Sequence, residues 1–371
     1  MPKVKILFFI YEMGAGGAAR TLLNIMNNLD REKFQPVLVT LNFDGSYEKD
    51  LKDDVSFIKL PTKRLSRSIF KLAAIIRNEK IDLVFSTIPR VNTIATIANK
   101  LSFTKSRNVV READNLGGTL KEDLQLLFFG FIYRLSNQVV SLSEGVKNNL
   151  VEKYKLKPDN IKVIYNPVDL KKIEQQLIEA MPPNHNEIFQ TDEKIIVTAG
   201  RLVKQKDQRT LFEAFKKVQA KVVSRLVILG EGPLETELKV LAEENGMSDR
   251  IHFIGFQQNP YKYIHQADLF ALSSKHEGFS HVIAESLATG TMVVSTDCKS
   301  GPSEVLDKGK YGYLCEVGNA DEMSQQMIEA LTLSEQRKQM TIENGIKRAK
   351  DFDATIIVKQ YEKVYLDVLS K

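Results

Sequence analysis

The chain has 371 residues, which at about 150 residues per domain leaves room for two or three cores and excludes a peptide, a disulfide mini-protein or a lone binding module. Its 43% hydrophobic and 27% charged residues, with only 20 Gly and 11 Pro, exclude a disordered or fibrous chain. Cys298 and Cys315 cannot build a disulfide framework, and no Cys/His cluster has metal-ligand spacing, so a reducing, cytosolic setting is expected.

The basic-then-apolar start, Met1 to Ile10, mimics a signal peptide, but its short apolar run ends at Tyr11-Glu12 without a small-residue cleavage site, which favours a buried first strand. No window approaches the ~18 to 20 apolar residues of a membrane span. Residues 1 to 170 carry 26 Lys and Arg against 18 Asp and Glu, whereas the remainder carries 26 against 29. Within the basic half, residues 61 to 80 hold Lys63, Arg64, Arg67, Lys71, Arg77 and Lys80 against Glu79 alone. Such a stripe can meet nucleic acid or anionic lipid, or can be a solvated helix face.

In chain order, strands are expected at Lys5 to Ile10, Gln35 to Leu41, Val55 to Leu60, Ile81 to Ser86, Arg107 to Arg111, Gln138 to Leu142 and Lys162 to Tyr165. Between them, Thr21 to Leu29, Ile69 to Asn78, Val91 to Leu101, Lys121 to Arg134 and Glu144 to Tyr154 space apolar residues three and four apart, as amphipathic helices do. A polar stretch containing Met181-Pro182-Pro183-Asn184 interrupts the pattern, which then restarts. Strands are expected at Lys194 to Ala199, Arg225 to Leu229, Ile251 to Phe253, Leu269 to Leu272 and Met292 to Ser295, with helices at Gln208 to Ala220, Leu234 to Asn245, Pro260 to Gln266 and His281 to Ala288, and a closing helix at Ala354 to Leu369. Strand-helix alternation with continuous apolar strands implies two doubly wound α/β domains with parallel sheets, and ligands in the cleft at the carboxyl ends of the strands.

Four strand-to-helix loops could carry chemistry. Gly14-Ala15-Gly16-Gly17 follows the first strand and allows close backbone approach at a helix start; it is no dinucleotide fingerprint, because no acidic residue ends the second strand. Gly200-Arg201-Leu202 with Lys206 offers an Arg fork and a Lys point charge suited to a diphosphate. Gly230-Glu231-Gly232-Pro233 is a second glycine turn. In Glu277-Gly278-Phe279-Ser280, Gly278 turns the chain and Ser280 can cap a helix bearing Glu285. On one helix the two glutamates would stand roughly 12 Å apart, too far for a retaining hydrolase pair, so they are expected to hold different parts of one ligand. Asp351 and Asp353 precede the closing helix and are expected to serve its start rather than a metal.

Together these motifs resemble, over essentially the whole chain, the family 4 retaining glycosyltransferases of the GT-B fold. Tyr165-Asn166-Pro167-Val168-Asp169 is similar to that family's hinge entry, and Asp297 to Glu304 to its late cleft loop. The resemblance implies two Rossmann-like domains facing across a cleft: residues 1–170 as the acceptor domain, completed by 354–371, a hinge at 171–192, and a nucleotide-sugar domain at 193–353. It implies transfer of a sugar from a nucleoside diphosphate sugar, expected to be UDP-linked, to an acceptor hydroxyl with retention of the α configuration, and no cofactor or metal. Arg201 and Lys206 would hold the diphosphate, Glu277 the donor sugar and Glu285 the ribose. Backbone groups of Gly278, Phe279 and Ser280, of Gly16 and Gly17, and the stretch around Ile254 would complete the donor site.

Many relatives carry a His at the end of the fifth strand, where this chain reads Val110-Arg111-Glu112-Ala113-Asp114-Asn115. That variant resembles a subgroup of surface-polysaccharide and lipid-linked oligosaccharide enzymes, which makes Arg20, Arg111, Glu112 and Asn115 acceptor-side candidates. The implied partners are a polyprenyl diphosphate-linked glycan and the anionic inner face of the cell membrane, not nucleic acid. Leu126 to Tyr133 is either part of that surface or a buried helix core. The alternatives are a soluble acceptor, the related nucleotide-sugar epimerase fold, or a non-catalytic sugar-nucleotide-binding homologue.

Overall fold

The computed structural model describes residues 3–14 and 16–371. The chain divides into two compact units, one formed by the residues up to Val168 together with Asp353–Lys371 and the other by Asp169–Phe352. The first contains β1 (Val4–Phe9), β2 (Phe34–Thr40), β3 (Ser56–Lys59), β4 (Leu83–Thr87), β5 (Arg107–Glu112), β6 (Gln138–Ser141) and β7 (Ile161–Val163), in the order β3-β2-β1-β4-β5-β6-β7. Every neighbouring pair is parallel. Because helices cover both faces, β1 reads from Ile6 to Phe9 as a continuous apolar run rather than an alternating one.

The second unit contains β8 (Lys194–Ala199), β9 (Ser224–Leu229), β10 (Ile251–Phe253), β11 (Leu269–Leu272), β12 (Met292–Thr296) and β13 (Tyr313–Cys315), ordered β10-β9-β8-β11-β12-β13 and again parallel. The strand order reverses direction beside β1 in one unit and beside β8 in the other, the positions where doubly wound sheets hold ligands.

The closing helix, Ala354–Leu369, returns to the first unit. Tyr361 and Tyr365 each lie edge-on to Phe85, with ring centroids 5.7 Å apart, in the cluster that also contains Phe8 and Phe34. Asp353 caps this helix by accepting from Thr355 N at 2.8 Å, and Asp351 pairs with Arg348 at 2.9 Å.

The structure differs from expectation in two places. The stretch 171–192, expected as a hinge, lies in the second unit and includes two helices, Leu170–Leu177 and Pro183–Phe189. Asp169 caps the first through Lys172 N, and Pro183 occupies the first position of the second, where proline starts a helix instead of breaking it. Beyond β12, the strand β13 and the helices Pro302–Val305, Ala320–Leu331 and Glu335–Ala349 had no counterpart in the sequence reading.

Candidate active site

The chemistry-bearing residues of the second unit lie on loops at the carboxyl ends of β8, β9, β11 and β12. Two glycines set how closely those loops pack. A Cβ on Gly230 would lie 2.0 Å from the carbonyl oxygen of Gly200, and one on Gly232 would lie 2.4 Å from that of Leu202. Only the absence of a side chain lets the β9 turn rest on the β8 loop, where Leu202 N donates to Glu231 O at 2.9 Å.

The β8 loop is also tied to the β11 loop. Lys275 N donates to Gln205 O at 2.8 Å, Gln205 Nε2 to His276 O at 2.8 Å, and Ser273 Oγ to Lys206 O at 2.8 Å. These bonds bring Lys206 Nζ to 2.6 Å from Glu277 Oε1, which also accepts from Ser274 Oγ at 2.7 Å. The pair is largely buried, with side chains 18% and 10% exposed. Ammonium and carboxylate there neutralise each other while Lys206 keeps two further donors. Arg201, on the same loop, is exposed, and its guanidinium has no hydrogen bond or ion pair among the described residues. Arg201, Lys206 and Glu277 together therefore carry one net positive charge, a setting suited to an anion.

Ser280 stands at the N-terminus of the helix His281–Ala288 in the left-handed region, with φ at 67°. It occupies the cap position as expected, but its hydroxyl makes no capping bond and is buried without a hydrogen-bond partner. Strained non-glycine residues of this kind cluster at ligand clamps and switch regions, which makes Ser280 a candidate for ligand contact. Glu285, on the same helix, is buried and accepts from Tyr261 Oη at 3.3 Å. Ile254 N bonds Ile228 O at 3.1 Å, fixing the end of β10 next to Gly230. Burial, reinforced by the nearby Glu277 charge, pushes the Cys298 thiol up to about 12, so it stays neutral and unreactive at neutral pH.

Sequence reasoning assigned no role to Ser273, Ser274 or Tyr261. Both serines stood at the end of a predicted strand, and that position was the only signal available.

In the first unit, Gly16 precedes the helix Gly17–Asn28, and both glycines are exposed; Ala15 of that loop lies outside the described residues. Arg20 Nε donates to Tyr47 Oη at 3.1 Å, and its guanidinium carbon sits 5.8 Å from that ring's centre. Asn115 lies in the partly buried loop after β5, where Asn149 receives Leu116 N at 3.4 Å.

Arg111 and Glu112 correct the expectation that they line an acceptor surface, because both are fully buried. Arg111 donates to Tyr361 Oη at 3.2 Å, to Thr87 Oγ1 at 3.0 Å and to Asn166 Oδ1, and so ties two strand ends and the Tyr165–Asp169 segment to the closing helix. Glu112 accepts from Tyr133 Oη at 2.7 Å, Tyr154 Oη at 3.2 Å and Ala113 N at 2.9 Å. Burial pushes its carboxyl up to about 7 despite these three donors. A cavity of about 400 Å³ bordered by Arg134, Asn137, Asp159 and Lys371 lies at the opposite, amino-terminal end of this sheet, away from these loops.

Comparison with known proteins agrees with this architecture. Residues 15–172 match the model described as Glycosyltransferase Family 4, and residues 180–348 the model described as Glycosyl transferases group 1. The chain is 31% identical to the N-acetylgalactosamine-N,N'-diacetylbacillosaminyl-diphospho-undecaprenol 4-alpha-N-acetylgalactosaminyltransferase of Campylobacter jejuni, over 98% of this chain and 99% of that protein. Its fold is that of Anabaena Alr3699/HepE, solved in complex with UDP, at a TM-score of 0.83 and 20% identity, over 98% of this chain and 100% of the other. A glycosyltransferase structure from Rickettsia africae aligns with the same TM-score at 18% identity, over 100% and 99% of the two chains. The chain belongs to the family 4 glycosyltransferases of the GT-B fold.

Proposed function

We propose that this enzyme transfers a sugar from a UDP-linked donor, with retention of the α configuration, to a hydroxyl of a lipid-linked glycan in cell-surface polysaccharide assembly at the inner face of the membrane. The observation that carries the reading is the cationic loop after β8, where exposed Arg201 shares the loop with Lys206, which is braced by Glu277. The Campylobacter relative, whose name specifies a diphospho-undecaprenol acceptor and an α linkage, supports the acceptor class and the stereochemistry. The UDP complex of HepE supports the donor.

In this reading Arg201 and Lys206 hold the diphosphate. As the sugar–phosphate bond breaks, charge accumulates on the phosphate oxygens, and cations already in place stabilise it without reorganisation; each is expected to contribute about 3 kcal/mol. Glu277 Oε1 fixes Lys206, leaving Oε2 to accept from a hydroxyl of the donor sugar. Glu285 and Tyr261 take the ribose, and Ser280 with the adjacent helix amides meets the phosphates. The acceptor hydroxyl attacks from the face that the diphosphate leaves and passes its proton to the departing phosphate oxygen. The exposed Lys63, Arg64, Arg67 and Lys71 are the groups offered to anionic headgroups.

The test is thermal stabilisation by a panel of nucleotides, with Arg201→Ala and Lys206→Ala as controls, followed by NMR assignment of the product anomer. A ligand at 100 times its Kd adds about 2.7 kcal/mol. A shift with UDP that both variants abolish, and an α product formed in the presence of a chelator, are expected. No shift with any nucleotide would overturn the reading, and a β product would overturn retention.

A further inference from the structure

The helix Leu120–Tyr133 has an unusual distribution of side chains. Thr119 and Glu122 form a reciprocal capping box at its start, with bonds of 3.3 and 3.1 Å. Its inner side buries Leu126, Phe129, Ile132 and Tyr133, and Gly130 seats it so closely that a Cβ there would lie 1.9 Å from the Tyr154 carbonyl oxygen. Its outer side is also apolar. Leu120 is 87% exposed, Leu124 69%, Phe128 53% and Phe131 58%, and Leu127 is exposed with them. At about 100° per residue these five fall within an arc of roughly 100°, along a helix about 21 Å long. Lys121 borders one edge of the arc and Arg134 the other. The acids of the first turn are engaged elsewhere, Glu122 with the cap and Asp123 with Lys153 at 2.7 Å.

We infer that this face is inserted into the interface of an anionic lipid bilayer, with the helix lying in the plane of the membrane. An apolar arc bordered by cations is the arrangement that such surfaces take up. The helix Ile69–Asn78 packs on Pro89–Leu101, which packs on Leu120–Tyr133, so the basic stretch lies in the same row of helices. Within that stretch Phe70 is 77% exposed among the cations. No helix among the described residues is long and apolar enough to cross a membrane, so the contact would be one of the interface only. The inference deepens the lipid-linked acceptor reading and rests on it for its biological sense.

The test is co-sedimentation of the full chain with vesicles of phosphatidylcholine and with vesicles of equimolar phosphatidylcholine and phosphatidylglycerol, without donor or acceptor. The wild type is compared with Leu124→Ser/Phe128→Ser/Phe131→Ser and with Ile178→Ser, an exposed apolar residue of the second unit. The triple variant is expected to lose tenfold or more of its partitioning into the mixed vesicles, about the effect of three interfacial anchors, while the control keeps it. UDP stabilisation should be the same in all three proteins, so failure of the donor reading would show separately from failure of the membrane reading. Wild type that stays in the supernatant, or a triple variant that binds vesicles as well as wild type, overturns the inference. So does a wild-type dimer in sedimentation velocity that the triple variant breaks without change in vesicle binding.

Discussion

Replacing Glu112 with Gln keeps the size of a buried side chain and removes its titration. The ordinary carboxyl value is 4.5, and burial raises it to about 7 in the folded protein. Between those values the native state binds the proton more tightly than the unfolded state, so wild-type stability falls as pH rises through this window and levels off above it. At about 1.36 kcal/mol per pH unit the whole loss is about 3 kcal/mol, of which about 2 to 3 falls between pH 5 and pH 8. The variant has no such slope. It carries instead a pH-independent cost, because when its amide oxygen takes the two tyrosine hydroxyls its NH2 meets the Ala113 N–H, and a buried unpaired donor costs about 1 to 3 kcal/mol. Gln should therefore be the less stable form at pH 5 and should close or reverse the gap by pH 8. Urea denaturation followed by far-UV circular dichroism measures this, the chain having no Trp. Every other titrating group cancels in the difference, so a gap that stays constant from pH 5 to pH 8 refutes the reasoning.

Two more outcomes follow from the packing of the second unit. Gly230→Ala forces a methyl onto the Gly200 carbonyl with no flexible side chain to yield; it should cost about 3 kcal/mol or more of unfolding free energy by urea denaturation and, by displacing the β8 loop, weaken the donor binding proposed above, and a loss under 1 kcal/mol would show that the loops part easily. Lys206→Ala leaves the buried Glu277 charge with Ser274 alone and should cost about 3 kcal/mol, whereas adding Glu277→Gln to it should recover about half; strictly additive losses would rule out the coupling.

The sequence was most informative where period and punctuation agreed. The strands at Lys194–Ala199, Ile251–Phe253 and Leu269–Leu272 and the helix Ala354–Leu369 fall where the apolar runs and their bounding turns place them. The helices Pro183–Phe189 and Pro302–Val305 escaped because they are short and begin with proline, which locally reads as a breaker. Glu335–Ala349 escaped because it buries little beyond Gly345 and Ala349, too narrow a stripe to show a period. In the site, Arg201, Lys206, Glu277 and Glu285 could be named from motif spacing, but that Glu277 braces Lys206 could not, since the two meet only when β8 and β11 become neighbours. Arg111 was misread for the converse reason. A charged residue at a strand end reads as a surface group until the closing helix, 250 residues further on, covers it with Tyr361.

Glu112 and Glu277 show how environment divides the work between two identical side chains. Glu112 ends β5 and Glu277 lies in the loop after β11, and each is nearly inaccessible. Glu277 meets a lysine, so its charge is compensated. Glu112 meets two tyrosine hydroxyls and an amide but no cation, so its charge is opposed by burial and its bonds serve to hold the loop after β5. A carboxylate without a counter-ion in so dry a place would be a poor partner for a diphosphate, which it would repel, and a good clamp for neutral donors. The compensated ion pair accordingly lies between the β8 and β11 loops, and the end of β5 is held by neutral donors.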